Sequence, residues 1–307
     1  MRKVSVITVN FNQPSVTEAL LDSVISDSYF RRMEVIVTDN GSKNSPINLW
    51  NAKYPNITFI HSEQNLGFAG GNNLAIQAAK GEYLFLVNND TEFTPGLVEQ
   101  LVSTLDANPG VGIISPKIRF FHQPDMIQYA GFTPMNYSTC RNKCIGEFEK
   151  DSGQYDHTTG PTGYIHGAAM MVRREALDKA GLMSENFFLY YEEIDWCERI
   201  KRAGFGVWVD PAALIYHKES VSVGKTSPLK EYFMNRNRIL FIRRNAPFFS
   251  KILFSLHFSL LVVPRNILTY LARKRPVLTI YLFKAIWWNL THSKNSQDTG
   301  YPLNKIT

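Results

Sequence analysis

The 307-residue sequence predicts an α/β fold, with a mostly parallel central sheet flanked by helices and a helical C-terminal tail. Three observations predict it. Apolar runs of four to six residues alternate with helical patterns over the first two thirds of the chain. The early runs each end in a cluster of polar residues. Near Lys225 the texture changes to a mixture of aromatic, aliphatic and basic residues.

VSVITV (4–9) reads as a buried strand, and Leu20, Leu21, Val24 and Ile25 mark one face of the helix after it. EVIVTD (34–39) and ITFIHS (57–62) are the next two strands. A helix follows Gly67 and runs to about Lys80, and YLFLV (83–87) is the fourth strand. LVEQLVSTL (97–105) has helical spacing with Pro95 in its first turn, and VGIIS (111–115) is a further strand. Residues 120–165, rich in Gly, Pro, Thr and Tyr, predict an excursion carrying a β-hairpin or a mobile loop. AAMMVRREAL (168–177) is a strand entering a helix. Ile194, Cys197 and Ile200 share a helix face that ends near Gly204, and GVWVDP and ALIYH complete the α/β part.

Apolar residues at 44% and charged residues at 20% exclude a disordered chain. Cys140, Cys144 and Cys197 cannot form a disulfide framework, which points to a reducing, cytoplasmic setting. The start, MRKVSVITVNF, has no small-residue cleavage site, so no secretory signal is expected. The net charge of +6 is divided: from Lys225 onward 14 Lys and Arg face 2 Asp and Glu, while the body before it is acidic by 6. A basic tail suits an anionic surface. Its apolar density favours a membrane over nucleic acid, and no nucleic-acid partner is expected.

In an open α/β sheet, ligands bind beyond the carboxyl ends of the strands. Thr8, Asn10 and Asn12 follow the first strand here, and Asp39, Asn40 and Ser42 the second. Asn65, Gly67, Gly70, Gly71 and Asn72 follow the third, and Asn88, Asn89 and Asp90 the fourth. Asp39 is an acceptor suited to a base or to ribose hydroxyls. The glycines would admit a ligand close to the backbone, with a helix N-terminus behind them to favour an anion. Asp90 is a hard carboxylate able to hold a divalent cation bridging a diphosphate. TVNFNQP, after the first strand, has no glycine-rich turn, which disfavours a dinucleotide fold. In FFLYYEEIDWCERIKRAGF (187–205), Glu192, Glu193 and Asp195 open a helix, and aromatic walls suit a general base. His217 follows another strand of the same sheet.

VSVITVNFN, EVIVTDNGS, NLGFAGGNN and YLFLVNNDTEFTPG resemble the successive donor-site motifs of family 2 glycosyltransferases with the GT-A fold. HGAAMMVRREAL and FFLYYEEIDWCERIKRAGF are similar to acceptor-side segments of its rhamnosyltransferase-like branch. The resemblance covers about residues 3–220. It implies an inverting, Mg²⁺- or Mn²⁺-assisted transfer from a nucleotide-diphospho-sugar, dTDP-rhamnose or a UDP-hexose, to a saccharide or lipid-linked acceptor in cell-surface polysaccharide synthesis. By position it implies that Asp39 contacts the nucleobase, Asp90 and His217 hold the metal, and Glu193 is the base. Asp195 matches a further acidic position, and His166, Gly167, Tyr191 and Glu192 fall on the acceptor side. Asn88 stands where the family's first metal-site carboxylate is usual, and Glu193 where Asp is usual. The implied domains are 1–222, with a donor half to about 115 and an acceptor half from 116, and a tail over 223–307.

Two other functions fit less of the sequence. A sugar-nucleotide pyrophosphorylase would open with a glycine-rich basic loop. A non-catalytic sugar-nucleotide-binding module would bind without turnover. Cys140 and Cys144 have no further pair to make a metal site and read as plain thiols. The longest apolar run of the tail, Ile252 to Val263, stops at Pro264-Arg265, short of the roughly 20 residues of a spanning helix. Helices in the interface plane are therefore expected, peripheral at the cytoplasmic face. Phe248, Phe249, Trp287 and Trp288 would enter lipid, and Arg243, Arg244, Arg273, Lys274 and Arg275 would face headgroups. Packing on the body or on a second subunit, as a homo-oligomer, is the other expectation for this surface.

Overall fold

The computed structural model describes residues 3–218 and 227–302. The expected boundary at 222/223 lies outside the described residues. Among them, ten strands form one sheet in the order β3-β2-β1-β4-β9-β6-β10-β5. These are β1 (Val4–Asn10), β2 (Met33–Asn40), β3 (Thr58–Ser62), β4 (Tyr83–Val87), β5 (Thr91–Phe93), β6 (Val111–Phe120), β9 (Ala169–Arg173) and β10 (Gly206–His217). Beside this path, β7 (Gln123–Tyr129) pairs with β6, and β8 (Gly160–Pro161) with β10.

The strand runs foreseen in the sequence all form, but the sheet is mixed. β3, β2, β1 and β4 are parallel, as is β10 on β6. β9 enters antiparallel between β4 and β6, and β5 runs antiparallel on β10. Apolar periodicity reports burial, which does not depend on strand direction. Alternation splits the core in two. Val4, Val6, Tyr83 and Phe85 face helices α1 (Pro14–Ile25), α2 (Ile47–Lys53) and α4 (Leu97–Ala107). Ile7, Ile36, Leu84 and Leu86 face α3 (Gly67–Ala78), α5 (Arg174–Ala180) and α6 (Glu192–Arg202).

Some details differ from expectation. Ile25 is exposed, one position off the face formed by Leu20, Leu21 and Val24. Pro95 lies ahead of α4, whose cap is Gly96 in a left-handed conformation. The excursion contains the β6–β7 hairpin, and its remainder is anchored: buried Lys117 pairs with Asp151 at 2.7 Å and Asp156 at 2.5 Å.

The tail forms α7 (Pro228–Asn245), α8 (Phe248–His257), α9 (Val263–Ala272) and α10 (Val277–Thr291). Helix α7 is part of the core, with Tyr232, Phe233, Arg236, Asn237, Leu240 and Phe241 fully buried. Helices α8 and α9 join through a π-turn (Phe258–Val262) into one 25-residue helix, Phe248–Ala272, long and apolar enough by composition to cross a membrane. The apolar run had placed its end at Pro264. Pro264 instead sits in the first turn of α9, directly after the wider π-turn. Phe248, Phe249 and Trp287 are exposed as expected, whereas Trp288 is buried. Arg243 and Arg244 also turn inward. Arg243 donates to Asn289 and the His292 carbonyl, and Arg244 to Asn186 and Ser184.

Candidate active site

Parallel pairing lines up the ends of β1, β2 and β3, with Asn10 beside Asp39 and Asp39 beside His61. Asn10 joins them: its amide donates to Asp39 at 2.9 Å and Ser42 at 3.1 Å, and its oxygen accepts from Thr17 at 2.9 Å. Asn12, at φ +54°, accepts from the Lys43 amide. Asn40 donates to Asn65 and the Gly67 carbonyl and accepts from the Leu66 amide. These asparagines rigidify the loops by satisfying one another.

Above them opens a cleft of about 230 Å³. It is lined by Asn40, Asn65, Gly67, Asn72, Asn88, Asn89 and Asp90 from the expected donor set, with Phe11, Gln13, Phe188, Leu189 and Leu229. Thr8, Asn10, Asn12, Asp39 and Gly70 do not line it. Thr8, Asn10 and Asp39 are wholly buried beneath the strand ends. Asp39 keeps one oxygen without a hydrogen-bond partner and lies 3.4 Å from His61. The glycines serve packing more than ligand approach. A Cβ on Gly67, at φ +72°, would lie 2.2 Å from the Phe188 carbonyl, and one on Gly71 2.9 Å from Val9. The Cβ of Gly70 would strike Leu66 at 2.7 Å.

Asp90 is different. It is 2% exposed, and neither carboxylate oxygen has a hydrogen-bond partner. Pairing of β5 with β10 brings His217 to it, Nε2 lying 3.2 Å from Oδ1 without hydrogen-bond alignment. Nδ1 of His217 contacts Gln128 Oε1 at 2.8 Å. With Nδ1 donating there, Nε2 turns its lone pair toward Asp90. An orphaned hard carboxylate beside an imidazole lone pair fits a divalent cation. Among the described residues no group of three or more His, Cys, Asp and Glu is placed to hold a metal ion, so a cation here would need further ligands from outside the chain.

His166 borders this pair, its ring 6.1 Å from that of His217. Burial pushes its pKa down to about 3, so it stays neutral, and its Nδ1 accepts from the Ala168 amide. Gly167 lies against Glu193: a Cβ there would sit 3.7 Å from the glutamate Cγ. Burial pushes the Glu193 carboxyl up to about 7, the range of a general base. Burial and then the charge of Glu193 push Glu192 up as well.

Asp195 does not share this freedom. It is wholly buried, and accepts from Arg199 at 3.0 Å and Asn245 at 2.9 Å, with Arg244 at 3.2 Å. Arg199, Arg244 and Asn245 make it a tie between α6 and α7. Both oxygens of Asp195 are thus engaged within the chain, an arrangement that does not favour the catalytic role expected for it.

The link between the cleft and Glu193 is a strained aromatic loop. Phe188, Tyr190 and Tyr191 all have positive φ, at 63°, 70° and 74°. Asn237 of α7 holds it, its amide donating to the carbonyls of Phe187 (2.8 Å), Leu189 (2.7 Å) and Tyr190 (2.9 Å). Arg236 donates to the Asn186 carbonyl and stacks 3.8 Å over Trp288. Sequence reasoning missed Gln128, Arg236 and Asn237. The only signal was a polar pair, Arg-Asn, inside a helix otherwise read as tail.

The model of the family described as Glycosyl transferase family 2 matches residues 5–181, more than half the chain. A low-salt glycan biosynthesis hexosyltransferase, Agl10, of Haloferax volcanii is 27% identical over 245 residues, covering 77% of this chain and 74% of its own. An N-acetylglucosaminyl-diphospho-decaprenol L-rhamnosyltransferase of Mycobacterium tuberculosis is 25% identical over 235 residues, 69% of this chain and 75% of its own. Among solved structures, the mannosyltransferase PcManGT of Pyrobaculum calidifontis, in complex with GDP-Man and Mn²⁺, superposes with a TM-score of 0.59 at 16% identity. That match covers 94% of this chain and 87% of the other. The fold is GT-A, and the chain belongs to glycosyl transferase family 2.

Proposed function

We propose that the chain is an inverting glycosyltransferase that moves a sugar from a nucleotide-diphosphate donor, dTDP-rhamnose or a UDP-hexose, to a saccharide or lipid-linked acceptor. The observation that carries this reading is the buried, unpartnered Asp90 carboxylate, opening on the cleft beside His217. Asp90 and His217 would hold Mg²⁺ or Mn²⁺, which when bound supplies charge neutralisation for the departing diphosphate. Asn40, Asn65, Gly67 and Asn72 wall the donor side. Glu193, raised to about 7, takes the proton of the acceptor hydroxyl. The acceptor oxygen forms a bond to the anomeric carbon as the bond from that carbon to the diphosphate breaks. The electron pair leaves with the nucleoside diphosphate, and a single displacement inverts the configuration. The names of the relatives, hexosyltransferase and rhamnosyltransferase, support this chemistry.

The test is a donor panel with Mn²⁺ or Mg²⁺, reading nucleoside diphosphate release and the anomeric configuration of the product by NMR. Binding without turnover of any donor would favour the non-catalytic reading.

The enzyme is further proposed to work at the cytoplasmic face of a membrane. Exposed apolar residues spread over two helices, Phe249, Leu253, Leu260 and Leu268 on the long one and Ile280, Phe283 and Trp287 on α10. Spread over two helices, they support a surface lying on lipid better than a single span. Flotation with phosphatidylglycerol vesicles that salt reverses supports this reading. Retention in the soluble fraction at low salt would make the surface a subunit interface.

A further inference from the structure

A second cleft, of about 340 Å³, opens between α7, α9 and the turn at Arg141. Three cations, Arg141, Lys230 and Arg238, line it with Tyr191, Glu231 and Asn266. The one carboxylate is already engaged: Glu231 accepts from Asn235 at 2.5 Å and from the Tyr270 hydroxyl. Among the described residues no carboxylate pairs with any of the three cations. Arg238 is fixed without being neutralised, donating to the carbonyls of Thr139 (3.4 Å) and Cys140 (3.2 Å). The cleft also adjoins the first turn of the 18-residue α7, whose dipole adds to the positive field.

Three converging cations call for a ligand with more than one negative charge. The cleft's neighbours narrow the choice. On one side stands Tyr191, the cap of α6, with Glu193 two residues on. On the other, Asn266 belongs to α9, whose Leu268 and Leu271 are 67% and 55% exposed. A ligand filling this place is anionic in the middle, apolar at one end and reactive at the other.

We propose that this cleft binds the diphosphate of a prenyl-linked acceptor, with its sugar toward Glu193 and its hydrocarbon along the exposed leucines of α9. The inference rests on the reading of the chain as a glycosyltransferase and selects the lipid-linked acceptor over a free saccharide. The diphosphate is a handle: no bond to it forms or breaks.

The test uses the full chain, with farnesyl diphosphate, inorganic pyrophosphate and phosphatidylglycerol vesicles as separate probes. Farnesyl diphosphate binding, measured by calorimetry, should weaken at least tenfold in the double variant Arg141→Ala with Lys230→Ala, and further in Arg141→Glu with Lys230→Glu. Nucleoside diphosphate binding in the first cleft should stay within twofold, and the conservative pair Arg141→Lys with Lys230→Arg should restore the wild-type affinity. Unchanged farnesyl diphosphate binding in the double variant overturns the proposal. So does failure of the conservative pair to restore it. Pyrophosphate binding as tight as farnesyl diphosphate would make this a plain anion site, and loss of vesicle flotation alone would make it a headgroup site. Either result overturns the acceptor assignment. If the wild-type chain binds farnesyl diphosphate but no nucleoside diphosphate, it is the glycosyltransferase reading that fails.

Discussion

Asn10 ends β1 and Asp90 follows the end of the adjacent β4, yet the protein treats the two side chains in opposite ways. Every polar atom of the Asn10 amide meets a partner from the chain itself, and Asn40 behaves alike. Asp90 is as deeply buried and has no hydrogen-bond partner on either oxygen. Toward the acceptor half the same contrast separates Asp195, clamped by two arginines, from Glu193, whose carboxyl is raised by burial. Asn10 and Asp195 therefore divide from Asp90 by satisfaction: the first two are bonded within the chain, and Asp90 keeps both carboxylate oxygens open.

Asp90→Ala tests this division most severely. Turnover should fall by roughly two to three orders of magnitude. The melting temperature should hold or rise, because an uncompensated buried carboxylate is removed. A melting temperature that falls with activity would make Asp90 a structural group.

Glu193→Gln should lower transfer by about a hundredfold while leaving nucleoside diphosphate affinity unchanged. The wild-type rate should fall tenfold per pH unit below about 7, since the base must be ionised to accept a proton. That acid limb should be absent from the residual activity of the variant. A limb that persists would assign the titration to another group.

The strands and the order of the site segments were legible because each is a local apolar run ending in polar residues. Satisfaction was not legible. Whether Asp195 is free depends on Arg244 and Asn245, about 50 residues further on, and whether Asn10 faces a ligand depends on Asp39 and Ser42 in another loop. The antiparallel entry of β9 is likewise a tertiary choice, and no period of side chains records it.

Asn237→Ala sharpens the comparison across that distance. Three carbonyls of a loop with positive φ lose their donor, which should cost roughly 2 kcal/mol of stability. The turnover number should fall more than donor KM rises, since the loop leads to Glu193. Equal change in both would place the loop's role in donor binding alone. The smallest effect should come from Asn10→Ala: about 1 kcal/mol of stability lost, with donor KM within twofold. A tenfold rise in donor KM would return Asn10 to the binding surface.

Helix α7 also decides where cooperative unfolding stops. Its Leu240 and Phe241 belong to the same core cluster as Ile7 and Leu86 of the sheet, and its Arg244 and Asn245 close on Asp195. Helices α8 and α9 bury little beyond Phe254, Phe258, Val262 and Tyr270. In hydrogen exchange, the amides of α7 should therefore open only with the whole sheet, while those from Phe248 to Ala272 open locally and far sooner. Measured this way, the folding unit runs through Asn245 and takes in α10, whose Leu278, Leu282 and Trp288 share that core, inside the stretch whose composition alone marks it as tail.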